Sequence, residues 1–337
     1  MTGDNTSMTV TGPVNISGFK GSALHTAGAD SVISVGGGTI STAADADKSH
    51  NFYAARVEKG TVNINMKNGA PGSARTNIIG DMYVTGQYGK KVIEYSGGQL
   101  ADWQHRGNLH VALTDKDSSW TGVAAYEQYN DNYGSGGNTM HDIGNFDLYL
   151  QNGATWTNEQ QSHVTTTTLA GKNPVYNGSY LMKLHGGSDA VHKGYIYQKD
   201  SKPITVDNYS GHTLVFYDHT GDGSAAENYS AGDFRIKTAE EGSSITLRTG
   251  AGGINTADKT AAGKALNSLA NKLYYMSYVQ GDTKLKGTVE IAEGLTSSSV
   301  SASGDIAFRT DTAADKNGQG TYVYEPEEPL DGPIIKD

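Results

Sequence analysis

The string Asp218-His219-Thr220-Gly221-Asp222-Gly223-Ser224 has the residue types of a metal loop. On the template of a helix-flanked calcium loop, Asp218, Thr220 and Asp222 fall at positions one, three and five, and Gly223 at position six. Position twelve needs a bidentate Glu and is Tyr229. The ligand that closes the shell is therefore missing, and we read an Asp/Gly-rich turn. HExxH does not occur, and with no Cys there is neither a thiolate metal site nor a disulfide. The ten His are scattered singly. A Ser-His-Asp triad has only to meet in space, but no Gly-x-Ser-x-Gly elbow marks one. Glycoside hydrolysis needs two carboxylates about 5–9.5 Å apart. Chance pairs come easily from 36 acids, and none stands out. We expect no catalytic residue, no cofactor and no enzyme.

Binding chemistry is better represented. Ala124 to His141 has no strand pattern and carries Tyr126, Tyr129 and Tyr133 among Asn130 and other amides and acids. Tyr combines flat apolar area with a hydroxyl, which suits contact with a glycan or a protein. We expect this stretch to be a loop standing off the fold. A second irregular stretch runs from Glu159 to Asn177.

Two stretches show what must position such loops. Asn108–Gly122 (NLHVALTDKDSSWTG) and Asn145–Asn158 (NFDLYLQNGATWTN) each run from an alternating strand through a polar turn to a Trp-Thr pair. Leu109, Val111 and Leu113 share one face of the first strand, and Phe146, Leu148 and Leu150 one face of the second. One such strand cannot bury its apolar face alone; stacked copies can. Trp120 and Trp156 are the structural markers of the unit. Only 36% of residues are apolar, which suits a thin continuous core, and the 44 Gly suit tight turns. Strand groups recur roughly every 20–25 residues, which implies about 14 coils and a rod roughly 65 Å long.

The pattern breaks at Thr260–Met276, where Ala262, Leu266, Leu269, Ala270 and Leu273 fall on one helical face. Thr256 or Asp258 could cap it. We expect a short amphipathic helix covering apolar surface on the side of the rod. Net charge is −10 with no basic run, which argues against nucleic acid. No apolar run approaches the roughly 18 residues of a membrane span. Residues 325–337 read as a Pro/acidic linker.

The two Trp-Thr units resemble the recurring coil of autotransporter passenger domains. Ile204–Tyr217 (ITVDNYSGHTLVFY) is similar to coils near the passenger's C-terminal end. Leu266–Leu295 and the ending EEPLDGPIIKD look like the segment before the translocator barrel and the junction with it. The likeness covers roughly residues 100–337. It implies an all-β fold, a right-handed parallel β-helix (β-solenoid) with one short helix near the C-terminal end. It implies a passenger region at 1–324, with the loop at 124–141, a helix-containing insertion at 256–285 and C-terminal coils at 286–324. The linker then leads toward an outer-membrane β-barrel in a longer chain. Some such passengers are proteases with a Gly-Asp-Ser-Gly loop; Gly134-Ser135-Gly136-Gly137 and Ser303-Gly304-Asp305 do not match it. The expected role is a bacterial surface adhesin that binds a host glycan or protein, with self-association between rods. The alternatives are a membrane-proximal stem that assists folding and a polysaccharide-active enzyme.

Overall fold

The computed structural model describes residues 3–84, 107–126, 144–164, 176, 178–219, 229–250, 254, 265–266, 268–275, 285–291, 303–309 and 320–326. These residues are almost all β, and the strands recur in tiers. The first tier is β1 (Ser7–Val10), β2 (Val14–Phe19) and β3 (Ser22–Thr26). The second is β4 (Val32–Val35), β5 (Gly38–Thr42) and β6 (Tyr53–Val57). The third is β7 (Gly60–Ile64), a small hairpin of β8 (Met66–Lys67) and β9 (Ala70–Pro71), then β10 (Thr76–Ile79) and β11 (Asp81–Val84). The fourth is β12 (Gly107–Leu113), β13 (Ser119–Thr121) and β14 (Ala124–Tyr126).

From the fifth tier on, the described residues of each tier form two strands. These are β15 (Asn145–Leu150) with β16 (Thr155–Asn158), β17 (Ser179–His185) with β18 (Gly194–Gln198), and β19 (Ile204–Ser210) with β20 (His212–Tyr217). β21 (Phe234–Ala239) with β22 (Ser243–Thr249), and β23 (Leu273–Tyr275) with β24 (Leu285–Ile291), complete the nine. β25 (Ser303–Arg309) and β26 (Gly320–Pro326) follow.

The first strands of all tiers, β1 to β23, pair in parallel as one stack. The middle strands, β2 to β24, form a second parallel stack. β3, β6, β11 and β14 form a third. The stacks share one core, because alternate residues of each strand point inward. Register puts apolar residues over one another, as in the row Val35, Ile64, Val111, Leu148 and Leu184. Ile78, Trp120, Trp156, Ile196, Val215, Leu247 and Val289 form the matching row of the second stack, all fully buried.

The two Trp are directly paired, with ring centroids 4.8 Å apart and planes within 3°. Each indole N–H donates to a glycine carbonyl of the tier below, Trp120 to Gly80 at 3.0 Å and Trp156 to Gly122 at 2.9 Å. Gly122 has φ of +153°, and a Cβ there would sit 2.2 Å from the Gly80 carbonyl oxygen. The close approach of one tier to the next at this corner therefore requires glycine.

Tiers are longer and fewer than the sequence spacing suggests. Along the first stack the step is 25 residues at its shortest, from Ser7 to Val32, and 47 at its longest, from Thr61 to Asn108. Nine tiers at about 4.8 Å span about 40 Å, not 65 Å. The spacing counted strand groups, but a tier is two or three strands plus whatever chain loops out between them.

The helix is also shorter. Helical backbone is present at 265–266 and 268–270, and Leu273 belongs to β23, paired with Phe234. Leu-Tyr-Tyr alternates as readily as it turns, and the main-chain ladder of the eighth tier captures it; Phe234 N–H bonds the Lys272 carbonyl at 2.6 Å. Ala265, Leu266, Leu269 and Ala270 are buried in the main core. Ala262, Thr256 and Asp258 lie outside the described residues.

At the C-terminal end β24 continues the parallel stack, but β25 and β26 do not. They pair antiparallel with each other and with β24 and β23. Residues 286–324 are therefore not a run of parallel coils. Glu325 and Pro326 are the last residues of β26 rather than linker; a strand end tolerates Pro. Residues 327–337 lie outside the described residues.

Replacing Trp156 with Ala should lower the unfolding free energy by about 3–5 kcal/mol. Trp156→Phe, which keeps a ring but loses the N–H bond to Gly122, should cost about 1–2 kcal/mol. Urea midpoints compare the two; equal losses would deny the hydrogen bond its share.

Candidate functional site

Side chains that point outward on the parallel stacks form rows as regular as those inside. On the first stack the row Asn63, His110, Asp147, Lys183, Asn208 and Thr238 is polar throughout. Its members face one another: His110 Nδ1 lies 3.3 Å and Lys183 Nζ 3.9 Å from Asp147 Oδ2. Thr238 donates to Asn208 Oδ1 at 2.8 Å. One row over, Tyr149 stacks on His185 at 4.2 Å. Burial holds the His185 imidazole below its ordinary value. His185 Nδ1 meets Ser210 Oγ at 3.0 Å and His212 Nδ1 meets Ser244 Oγ at 2.6 Å, both between neighbouring tiers. Among the described residues no carboxylate bonds the other nitrogen of either ring, so these are ladder contacts rather than triads.

The outer face of the second stack differs. Its rows run from Thr39 and Ser41 through Asn77 and the exposed Ile79 to Ser119 and Thr121, then Thr155 and Thr157. They continue into Tyr195 and Tyr197, then Phe216, Arg248 and Glu290. All five of the latter are half-buried and point out of the stack. Tyr197 and Phe216 lie face to face, centroids 4.6 Å apart and planes within 8°, with Tyr195 edge-on to Phe216 at 6.0 Å. Arg248 sits 5.9 Å from the Phe216 ring centre and bonds Glu290 through Nε at 3.0 Å. A flat aromatic step is thus bordered by hydroxyls on one side and a guanidinium–carboxylate pair on the other. No signal but position marks these residues in the sequence: Tyr195 and Tyr197 flank Ile196 as Thr155 and Thr157 flank Trp156.

Tyr126 is not a loop residue. It ends β14, where in-register pairing with Val84 holds it, and its ring packs 5.0 Å from that of the buried Tyr180. Burial raises its phenol above the ordinary value. Tyr129, Asn130 and Tyr133 lie outside the described residues, as does Asp222; Asp218 is exposed.

The described part of the stretch from Glu159 is a strap across the third stack. It leaves the fifth tier and reaches back to the third and second. Asp81, fully buried at the start of β11, accepts the backbone N–H groups of Gln161 at 3.0 Å and Ser162 at 2.8 Å, the Ser162 hydroxyl at 2.9 Å, and the N–H of Val123 at 3.0 Å. Burial pushes its carboxyl above the usual carboxylate range, and these donors pull it back. Ser162 Oγ also donates to the Phe52 carbonyl and His163 N–H to that of His50. Val164 and Tyr176 cover a small apolar cluster of Tyr53, Tyr83, Val123 and Ala125.

Near the strap, Asp45, Asp47 and His50 have ligand atoms within 4.8 Å of one another and could hold a metal ion. Their present partners are local: Asp45 accepts the His50 N–H at 2.8 Å and Asp47 the Ser49 hydroxyl at 2.8 Å, which describes a self-closed turn. No helix among the described residues is long and apolar enough to cross a membrane. No protein-family model matches the chain, and no curated protein matches it by sequence.

Asp81→Asn should cost about 2–4 kcal/mol, because an amide NH2 would face N–H donors it cannot accept; chemical denaturation measures it, and a loss under 1 kcal/mol would deny the strap its anchor. A proton NMR titration should place His185 below the free imidazole value of about 6.5. Its neutral form then adds stability that is complete above that value and lost as pH falls through the folded midpoint. A midpoint at or above the free value would contradict this.

Proposed function

We propose that this chain is a right-handed parallel β-helix, displayed as an autotransporter passenger at a bacterial surface, that binds a host glycan without turning it over. Two observations support the β-helix. Three parallel stacks share one core, and successive strands of a stack are joined through strands of the others. Right-handedness follows from the strong bias of parallel crossovers. The surface role rests on the resemblance of the Trp-Thr coils and C-terminal segments.

Binding rests on one observation, the aromatic step of Tyr195, Tyr197 and Phe216 on the outer face of the second stack. The rings pack on one another but leave a contiguous half-exposed apolar patch on a regular strand face, and such patches mark contact sites. Tyr and Phe offer flat apolar faces to sugar C–H groups, and the neighbouring Thr hydroxyls, Arg248 and Glu290 offer donors and acceptors. The acids beside the step and on the first stack are paired with cations: Glu290 with Arg248, Asp147 with Lys183, Asp207 with Lys237 and Asp233 with Arg235. A glycosidase instead needs two carboxyl groups free to move protons, so these acids favour binding over hydrolysis.

A glycan array probed with the purified chain should show binding that falls at least tenfold in a Tyr197→Ala, Phe216→Ala double variant. A Tyr126→Ala variant should bind as the parent does. Binding to matrix proteins alone would replace the glycan with a protein ligand, and no binding to either would sink the adhesin reading in favour of a stem.

A further inference from the structure

The strand that carries two of the step's three rings is bracketed by charge. In β18 the residues Gly194, Ile196 and Gln198 are buried, and Tyr195 and Tyr197 alternate with them on the outer face. Lys193 and Lys199 continue that alternation at the two ends, the first half-buried and the second exposed. The outward row of this strand is therefore Lys, Tyr, Tyr, Lys. Its two cationic residues are separated by about 20 Å of extended chain.

Cations elsewhere on the outer faces are matched by acids. Arg248 bonds Glu290, Lys183 lies near Asp147, Lys237 pairs with Asp207 and Arg235 with Asp233. Lys116, which borders Tyr195 across Gly153, is matched by its neighbour Asp117 at 3.3 Å. Among the described residues Lys193 and Lys199 have no such partner. In register Lys193 falls between Gly153 and His212, neither of them an acid. Lys199 falls between Glu159 and Asp218 and is bonded to neither. The hydroxyls of Tyr195 and Tyr197 are likewise without a protein partner among the described residues. A single solvated Lys is ordinary on a surface. Two at the ends of one strand, with two unbonded phenols between them, form a line of donors with no acceptor on the protein.

We propose that the glycan held at the aromatic step is an acidic one, a carboxylated or sulfated polysaccharide laid along β18, with sugar rings against Tyr195 and Tyr197 and anionic groups at Lys193 and Lys199. This rests on the glycan reading above and adds the charge of the ligand to it. Phe216 covers one face of Tyr197, so the ligand meets that ring from the side of the fifth tier. There the outward residues of the same two rows are only Thr155 and Thr157. The guanidinium of Arg248 is held by Glu290, which leaves the two Lys as the cations free to take the anion. The chain as a whole carries a net charge of −10. A polyanion therefore gains nothing from the overall field, and its binding reports local contacts.

Binding of heparin, polygalacturonate and dextran to the immobilised whole chain tests it, since the first is sulfated, the second carboxylated and the third neutral. The expected result is binding of at least one acidic polymer and none of dextran; the acidic polymer that binds tells sulfate from carboxylate. The double variant Lys193→Ala, Lys199→Ala should weaken that binding about five- to tenfold, the scale of two exposed ion pairs. Lys193→Arg, Lys199→Arg should keep it. Circular dichroism and thermal unfolding of both variants should match the parent, which separates lost binding from lost fold. Acidic polymers that bind the double Ala variant as well as the parent overturn the proposal and move the anion off β18. A ligand that proves neutral, whether dextran or a neutral glycan of the array, discards the acidic ligand and keeps the glycan reading. Binding to none of the polymers and to nothing on the array sinks both.

Discussion

The structure depends on parallel, in-register pairing of main chain from one tier to the next. That pairing fixes the distance between tiers and places each side chain over its counterpart. Inside, it turns single apolar residues into unbroken rows, so that Trp120 can rest flat on Trp156 and a low apolar content still fills a core. Outside, the same rule lines up Asp147 between His110 and Lys183, and Tyr197 over Phe216. Inner rows and outer rows are products of one constraint; they differ only in which residues the sequence supplies.

The third side of the fold shows what happens where that constraint lapses. Among the described residues four tiers have a third strand and later tiers do not. The outer face of that third stack is closed by the strap from Glu159 to Val164, which is tied by a buried carboxylate. Further along the chain, the helical segment buries Leu266 and Leu269 in the core. Both are polar or irregular solutions to a burial problem that strands solve elsewhere. A buried carboxylate is tolerable only because four donors converge on it.

Much of this was legible in the chain. The alternation in Asn108–Leu113 and Asn145–Leu150, and the Trp-Thr pairs after them, gave the right strands and the right faces, because a two-residue period has one physical meaning. Among the third strands the alternation of Met82, Tyr83 and Val84 was legible, but Ser22–Thr26 and Tyr53–Val57 were not: they are short and mix His, Arg and Thr with apolar residues. Tier length was hidden because loops add residues without adding rise. Leu273 satisfied helical and strand spacing at once, and only the pairing with Phe234 decides it. The aromatic strip escaped notice because Phe216 lies one tier on from Tyr195 and Tyr197, and closeness across tiers depends on a register that the sequence does not display. Asp81 has the same difficulty: its partners are 42 to 81 residues away.

Main-chain bonds between tiers run along the axis of the stacks. Tension applied along that axis would load them end-on, so tiers could peel away singly, each giving way before the next is stressed. The strap is laid along the axis instead of around it. Through Asp81 and the Phe52 carbonyl it ties the fifth tier to the third and second. Under load it acts as a stay, making that stretch resist as one block and leaving the tiers beyond it as the ones that yield first.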